Sequence, residues 1–199
     1  PVMSAYCRAF RRPFPQNQHY IALEITTACN LSCEQCNRSC GKNQAPSQER
    51  MDLKQIERFI QQSVDLKWKW QQIVVAGGEP TIHPEYNAII MALRGYRQTH
   101  SARTRIVVVT NGHGSHNQKV LESTPSDIII TNTQKMPKTS IGHDSYNIAP
   151  KDVHGFQDKN FKEGCIVANV CGLGLTRYGY YTCGPGASVD RVFGFGLNI

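Results

Sequence analysis

The 199-residue chain carries 22 Lys and Arg against 15 Asp and Glu, a formal net charge of +7, with 40% hydrophobic and 19% charged residues. That composition excludes a disordered chain, a collagen-like repeat and a coiled coil, and a chain of this size removes roughly 70% of its unfolded surface from water, enough for a core held without disulfides. No apolar run is long enough to cross a bilayer and the start, PVMSAYCRAFRRPFPQNQ, has no apolar h-region, so the expectation is a cytoplasmic protein with no membrane partner.

Residues 1–18 read as a basic N-terminal segment. Its Arg8, Arg11 and Arg12 would suit an anionic partner such as nucleic acid, a weak signal because the other positive charges are dispersed. The first strand is YIALEIT, Tyr20 to Thr26, with Ile21, Leu23 and Ile25 alternating to one side. Asp52 with Gln55 forms an N-cap pair, after which Leu53, Ile56, Phe59 or Ile60, and Val64 recur at helical spacing. A second strand, Gln72 to Ala76, leads to a helix with Pro84 in its first turn, Tyr86, Ile89, Ile90 and Leu93 on its apolar face, and Gly95 as its stop. A third strand, Arg105 to Thr110, a short helix, Asn117 to Glu122, and a fourth strand, Asp127 to Thr131, complete the pattern. Strands two to four are β-branched and continuously apolar, as expected of strands covered on both faces.

The order β-α-β-α-β-α-β predicts a parallel sheet with right-handed crossovers. Residues 19–163 are too few for eight βα units, so the expected core is a shortened, partial (βα) barrel. SYNIAP, Ser145 to Pro150, is a candidate fifth strand, and a boundary is placed near Gly164. Residues 164–199, with the Gly- and Tyr-rich CGLGLTRYGYYTCGPG, are expected to form a small cysteine-rich extension built on a β-hairpin.

The eight cysteines are grouped. Cys7 stands alone, Cys29, Cys33, Cys36 and Cys40 cluster directly after the first strand, and Cys165, Cys171 and Cys183 form a second group. Such grouping suggests metal rather than disulfides in a reducing compartment. Cys29, Cys33 and Cys36 have the spacing C-x3-C-x2-C, so three thiolates could hold three irons of a [4Fe-4S] cluster and leave the fourth iron open. The four thiolates that include Cys40 could equally hold a structural zinc. Two more loops argue for a ligand-binding edge. Gly77-Gly78-Glu79-Pro80 follows the second strand and Thr110-Asn111-Gly112 the third, both at the strand ends where open α/β sheets and barrels bind ligands. Gly77 and Gly78 would let backbone approach a ligand, and Glu79 could accept from an ammonium.

The C-x3-C-x2-C loop and the GGEP loop, in this order and context, resemble the radical S-adenosylmethionine (radical SAM) enzymes over about Tyr20 to Thr131. The resemblance implies that Cys29, Cys33 and Cys36 hold a [4Fe-4S] cluster whose open iron is chelated by the amino and carboxylate groups of SAM, with the GGEP loop at the amino group. One electron into such a cluster cleaves SAM to methionine and a 5'-deoxyadenosyl radical, which takes hydrogen from substrate. Thr110, Asn111, Thr131 and Asn132 are further candidates for SAM contacts. Gln35 stands where the family often has an aromatic residue, and Cys40 fits no ligand position and reads as a packed thiol. An oxygen-sensitive enzyme and a flavodoxin- or ferredoxin-type electron donor are implied.

The second group, Cys165-x5-Cys171-x11-Cys183 around Gly179, resembles the twitch or SPASM extension, which implies an auxiliary [4Fe-4S] cluster. Its fourth ligand would be a substrate atom, a non-cysteine side chain or Cys7. That likeness favours a peptide or protein substrate over a small molecule or an RNA nucleotide, and no RNA-binding module is recognisable. The rival reading is a non-catalytic zinc or iron-sulfur module. His113, His116, His143, Asp144 and Asp152 are weaker candidates for contacts at the same edge.

Overall fold

The computed structural model describes residues 16–33, 36–40, 49–132 and 171–197. The expected strand at Ser145 to Pro150 lies outside these residues, as do Cys7, Gln35, Cys165, His143, Asp144, Asp152 and the N-terminal arginines. The described elements are strands β1 (Tyr20–Thr26), β2 (Gln72–Gly77), β3 (Arg105–Thr110), β4 (Ile129–Asn132), β5 (Leu173–Thr176) and β6 (Gly179–Tyr181), and helices α1 (Leu53–Asp65), α2 (Tyr86–His100), α3 (Ser115–Glu122) and α4 (Gly184–Phe193), with a 3-10 turn at Pro80–Ile82.

The strands form a six-stranded sheet ordered β4-β3-β2-β1-β5-β6. Every pair from β4 to β5 is parallel, and β6 alone runs antiparallel. The expected hairpin exists, but it does not stand apart from the core: Ile21, Ala22 and Leu23 pair with Leu173, Gly174 and Leu175, so β5 extends the sheet beside β1.

Helices α1 and α2 cover one face, where Ile21, Leu23 and Ile25 of β1 meet Ile73, Val75, Ile106 and Val108 and the helical Ile56, Phe59, Ile89 and Leu93. Complete burial of one such side chain contributes about 1.5–3 kcal/mol, so this layer dominates the fold's stability. Helix α1 starts as expected: Asp52 Oδ1 accepts from Gln55 N at 2.8 Å and Gln55 Oε1 accepts from Asp52 N at 3.2 Å. In α2 two expectations fail. Pro84 precedes the N-cap Glu85, and the helix runs through Gly95 to His100. The reason is Tyr96, 3% exposed, whose ring sits in the core and whose hydroxyl donates to Trp68 O at 2.8 Å. Tertiary burial outweighs the glycine's preference to stop a helix.

The expected burial pattern is also redistributed. Strand β1 is covered on both faces, since Ala22, Glu24 and Thr26 are buried along with the alternating Ile21, Leu23 and Ile25. Strand β3, read as covered on both faces, exposes Arg105 and Val109. The second cover of β1 is α4 together with residues 36–40, and a carboxylate can occupy this face because Arg191 and Arg38 neutralise Glu24. Helix α4 is absent from the sequence-based expectation. Cys183 caps its start by accepting from Gly186 N at 3.3 Å, and Gly194, with φ of +67°, ends it in the left-handed region.

Candidate functional site

Three loops emerge where β1, β2 and β3 end, and hydrogen bonds weld them together. The chain after β2 lies directly against the chain after β1: Gly78 N donates to Thr26 O and Glu79 N to Ala28 O, both at 2.8 Å. This approach needs glycine. Gly77 has φ of +144°, and a Cβ would lie 2.1 Å from Thr26 O at Gly77 and 2.2 Å from Ala28 O at Gly78.

Glu79 is completely buried. Its Oε1 accepts from Thr81 N at 3.2 Å, Thr81 Oγ1 at 2.6 Å and Thr110 Oγ1 at 2.8 Å, while Oε2 accepts from Asn111 N at 2.7 Å. The carboxylate thus meets donors of the protein itself. It is turned into the protein, where it fixes the loop after β3 against the loop after β2, and Thr110 is spent on the same contact. Pro80 is buried at the start of the 3-10 turn.

Asn111 carries the connection on to the cysteine loop. Its Nδ2 donates to Asn30 Oδ1 at 2.8 Å and to Cys29 Sγ at 3.7 Å, and Asn30 Nδ2 donates to His113 O at 2.7 Å. Asn117 supports the turn by donating to His113 O at 2.8 Å. Asn30 and Asn117 escaped sequence reasoning; the cue available was an asparagine beside the first cysteine and another one helical turn past the TNG sequence.

Cys29, Cys33 and Cys36 line one cleft of about 150 Å³ together with Arg38, Gly77, Gly78 and Asn111. Burial pushes the Cys29 thiol up from its ordinary value; the nearby Leu31 N–H opposes this, while the charges of Glu79, Cys36 and Cys33 reinforce it. Keeping Cys29 as a thiolate thus calls for a positive centre in the cleft, the condition an iron-sulfur cluster meets. The donor set of three thiols on one loop fits it. Cys40 differs: it is 2% exposed, its thiol donates to Arg38 O at 3.3 Å, and the bond to Cys36 followed by burial pushes it up, holding it protonated. Among the described residues no group of three or more His, Cys, Asp or Glu side chains is drawn close enough to hold a single metal ion.

The other expected residues fall elsewhere. Thr131 is exposed and lies opposite Val109 in the sheet, with Asn132 opposite Thr110, so both stand at the correct edge while Thr131 does not line the cleft. Cys171 is exposed just before β5, whose first residues lie beside β1's beginning, and antiparallel pairing returns the end of β6, hence Cys183, toward that same end.

Residues 23–123 match the Radical SAM superfamily. The chain is 28% identical over 94 residues to GTP 3',8-cyclase of Corynebacterium glutamicum, covering 47% of this chain and 25% of that protein. It is 30% identical over 103 residues to molybdenum cofactor biosynthesis protein 1 of Bos taurus, covering 50% of this chain and 15% of that protein. It thus spans a quarter or less of the length of these two relatives. The crystal structure of BtrN in complex with AdoMet and 2-DOIA superposes with a TM-score of 0.54 at 19% identity, over 88% of this chain and 76% of that one, a likeness of fold that identifies the sheet as a partial barrel. The match covers half of the chain and contains both the three-cysteine loop and the glycine loop that share the cleft: the chain belongs to the radical SAM superfamily.

Proposed function

We propose that the chain is the catalytic part of an enzyme that cleaves SAM reductively and abstracts hydrogen from a substrate. The observation that carries this is the cleft in which Cys29, Cys33 and Cys36 face the glycine backbone of Gly77 and Gly78. When bound, a [4Fe-4S] cluster with SAM supplies a 5'-deoxyadenosyl radical. The protein's part is placement: the three thiols hold the cluster, the backbone after β2 receives the SAM amino group, and Asn111 fixes the start of the cysteine loop. Glu79, Pro80 and Thr110 act by holding that backbone in place. Thr131 and Asn132 are proposed for polar contacts with SAM from the strand next to Thr110.

Cys165, Cys171 and Cys183 are proposed to hold an auxiliary [4Fe-4S] cluster in a C-terminal element, residues 164–199, whose strand β5 joins the sheet of the core at residues 19–163. The twitch or SPASM likeness of that group supports a peptide or protein substrate. The relatives named as GTP 3',8-cyclases support a second reading, a nucleotide or other small molecule. A flavodoxin- or ferredoxin-type donor would supply the electron. Among the described residues no helix is long and apolar enough to cross a membrane, in keeping with a proposed cytoplasmic location.

Anaerobic reconstitution tests the proposal, with iron, sulfide and dithionite-dependent 5'-deoxyadenosine measured for the wild type and Cys33→Ala. About eight irons per chain, with 5'-deoxyadenosine lost in the variant, is the expected result; about four would remove the auxiliary site alone. Zinc in place of iron, with no SAM cleavage, would overturn the enzyme reading.

A further inference from the structure

We propose that helix α4 clamps the cysteine loop immediately after its third thiol, and that Arg191 is the positioning residue of the clamp. This rests on the reading that Cys29, Cys33 and Cys36 hold the catalytic cluster. It adds to the site a helix that lies outside the segment matched to the superfamily.

Arg191 sits in the last turn of α4 with its side chain 7% exposed. Nη1 donates to Glu24 Oε1 on β1, and Nη2 donates to the carbonyl of Arg38. One turn earlier, Ser188 Oγ donates to Asn37 O at 2.9 Å. Two consecutive carbonyls, one and two residues past Cys36, are thus held by one helix. A planar guanidinium suits this role because one rigid group reaches the central strand and the loop together, which a lysine ammonium cannot reproduce.

The gripped segment needs holding. It closes on itself through Ser39 N donating to Cys36 O at 3.0 Å and Cys40 N donating to Cys36 Sγ at 3.4 Å. Ser39 has φ of +48°, a left-handed conformation costly for a residue with a Cβ, which persists where neighbours over-determine it. Cys40 lies beneath the clamp, with Arg191 Nη2 4.0 Å from its sulfur. The anchor on β1 is equally demanding. Glu24 is 2% exposed by side chain and lies between Arg191 and Arg38, whose Nη1 is 3.6 Å from Glu24 Oε2. Removing one partner of a buried charge set strands the other, so the three residues stand or fall as a unit. The helix also starts in contact with the loop, because a Cβ on Gly184 would lie 2.1 Å from Arg38 Nη1. The clamp spares the cluster the entropy of ordering its third ligand, the general advantage of a ligand set held before binding.

The test uses Arg191→Met, Arg191→Lys, Ser188→Ala and the double variant Glu24→Gln/Arg191→Met. In the cluster-free protein, alkylation of Cys40 is followed by mass spectrometry. After anaerobic reconstitution, iron, sulfide and the electron paramagnetic resonance signal of the reduced cluster with and without SAM are recorded. We expect Cys40 protected in the wild type and labelled at least about tenfold faster in Arg191→Met, corresponding to about 1.4 kcal/mol of lost local protection. Iron uptake should fall and the SAM-induced signal change weaken, with a smaller effect of the same sense in Ser188→Ala. The double variant leaves Arg38 as the uncompensated charge, so it should melt no higher than Arg191→Met while Cys40 labelling stays fast; Arg191→Lys should not restore protection. Variants that melt like the wild type yet keep Cys40 protected and load the same iron would overturn the clamp. Should the wild type itself take up no iron, the proposed function fails, whereas Cys40 protection in the cluster-free protein still decides the clamp.

Discussion

Glu79 makes four hydrogen bonds without reaching solvent, and they serve three parts of the site: two hold the 3-10 turn through Thr81, one the end of β3 through Thr110, and one the backbone of Asn111. The exchange Glu79→Gln shows how specific that arrangement is. The amide oxygen can serve the three donors at Oε1, but its NH2 then faces Asn111 N, donor against donor. We expect a loss of about 1–3 kcal/mol in urea unfolding, the cost of an unsatisfied buried group, and weaker SAM binding by calorimetry, since Asn111 also holds Asn30 and Cys29. Unchanged stability would mean that the loops do not depend on this carboxylate. The cysteines and glycines at this scale were legible because their spacing is covalent and their chemistry narrow. The task of Glu79 was not, because it depends on which donors two other loops bring to it, and the same holds for Asn30 and for Glu24, the lone charge in an apolar strand.

At the scale of elements, periodicity and capping located β1, β2, β3 and α1 closely, since those signals lie within a few neighbouring residues. Two misreadings have a common cause. Gly95 reads as a stop and the GPG sequence after Cys183 as part of a hairpin extension, yet each belongs to a helix whose buried face settles the matter: Tyr96 in α2, and Ala187, Ser188 and Asp190 in α4. Pro185 near the start of α4 and Gly194 past its end were readable helix signals, but a hairpin dense in glycine and tyrosine masked them. Because Gly95 lies inside a helix and a Cβ there would meet nothing within 4 Å, Gly95→Ala should stabilise the protein by about 1 kcal/mol. A rise of roughly 2–4 °C in melting temperature is the expected readout. A fall would show that the glycine relieves a contact, contrary to the open space around it.

Across the whole molecule, β1 is the axis: it pairs with β2 on one side and β5 on the other, buries both faces, and sends the cysteine loop from its end. The pairing of β1 with β5 joins residues some 150 positions apart in sequence, and no local pattern announces such a contact. It decides whether the C-terminal segment is an appendage or part of the same cooperative unit. Gly174 tests this, because its strand lies under the start of α4 and a Cβ there would come within 2.9 Å of the Cys183 backbone. Gly174→Ala must push α4 outward or distort β5, at a cost of about 1–3 kcal/mol for overpacking. Trp70 reports from the opposite face, buried against Phe59. If sheet and α4 unfold as one body, tryptophan fluorescence and far-ultraviolet circular dichroism will give one shared, lowered urea midpoint in the variant. A dichroism midpoint that drops while the tryptophan midpoint stays in place would instead make β5, β6 and α4 a separable unit, and the grip of Arg191 on β1 would then be too weak to couple them.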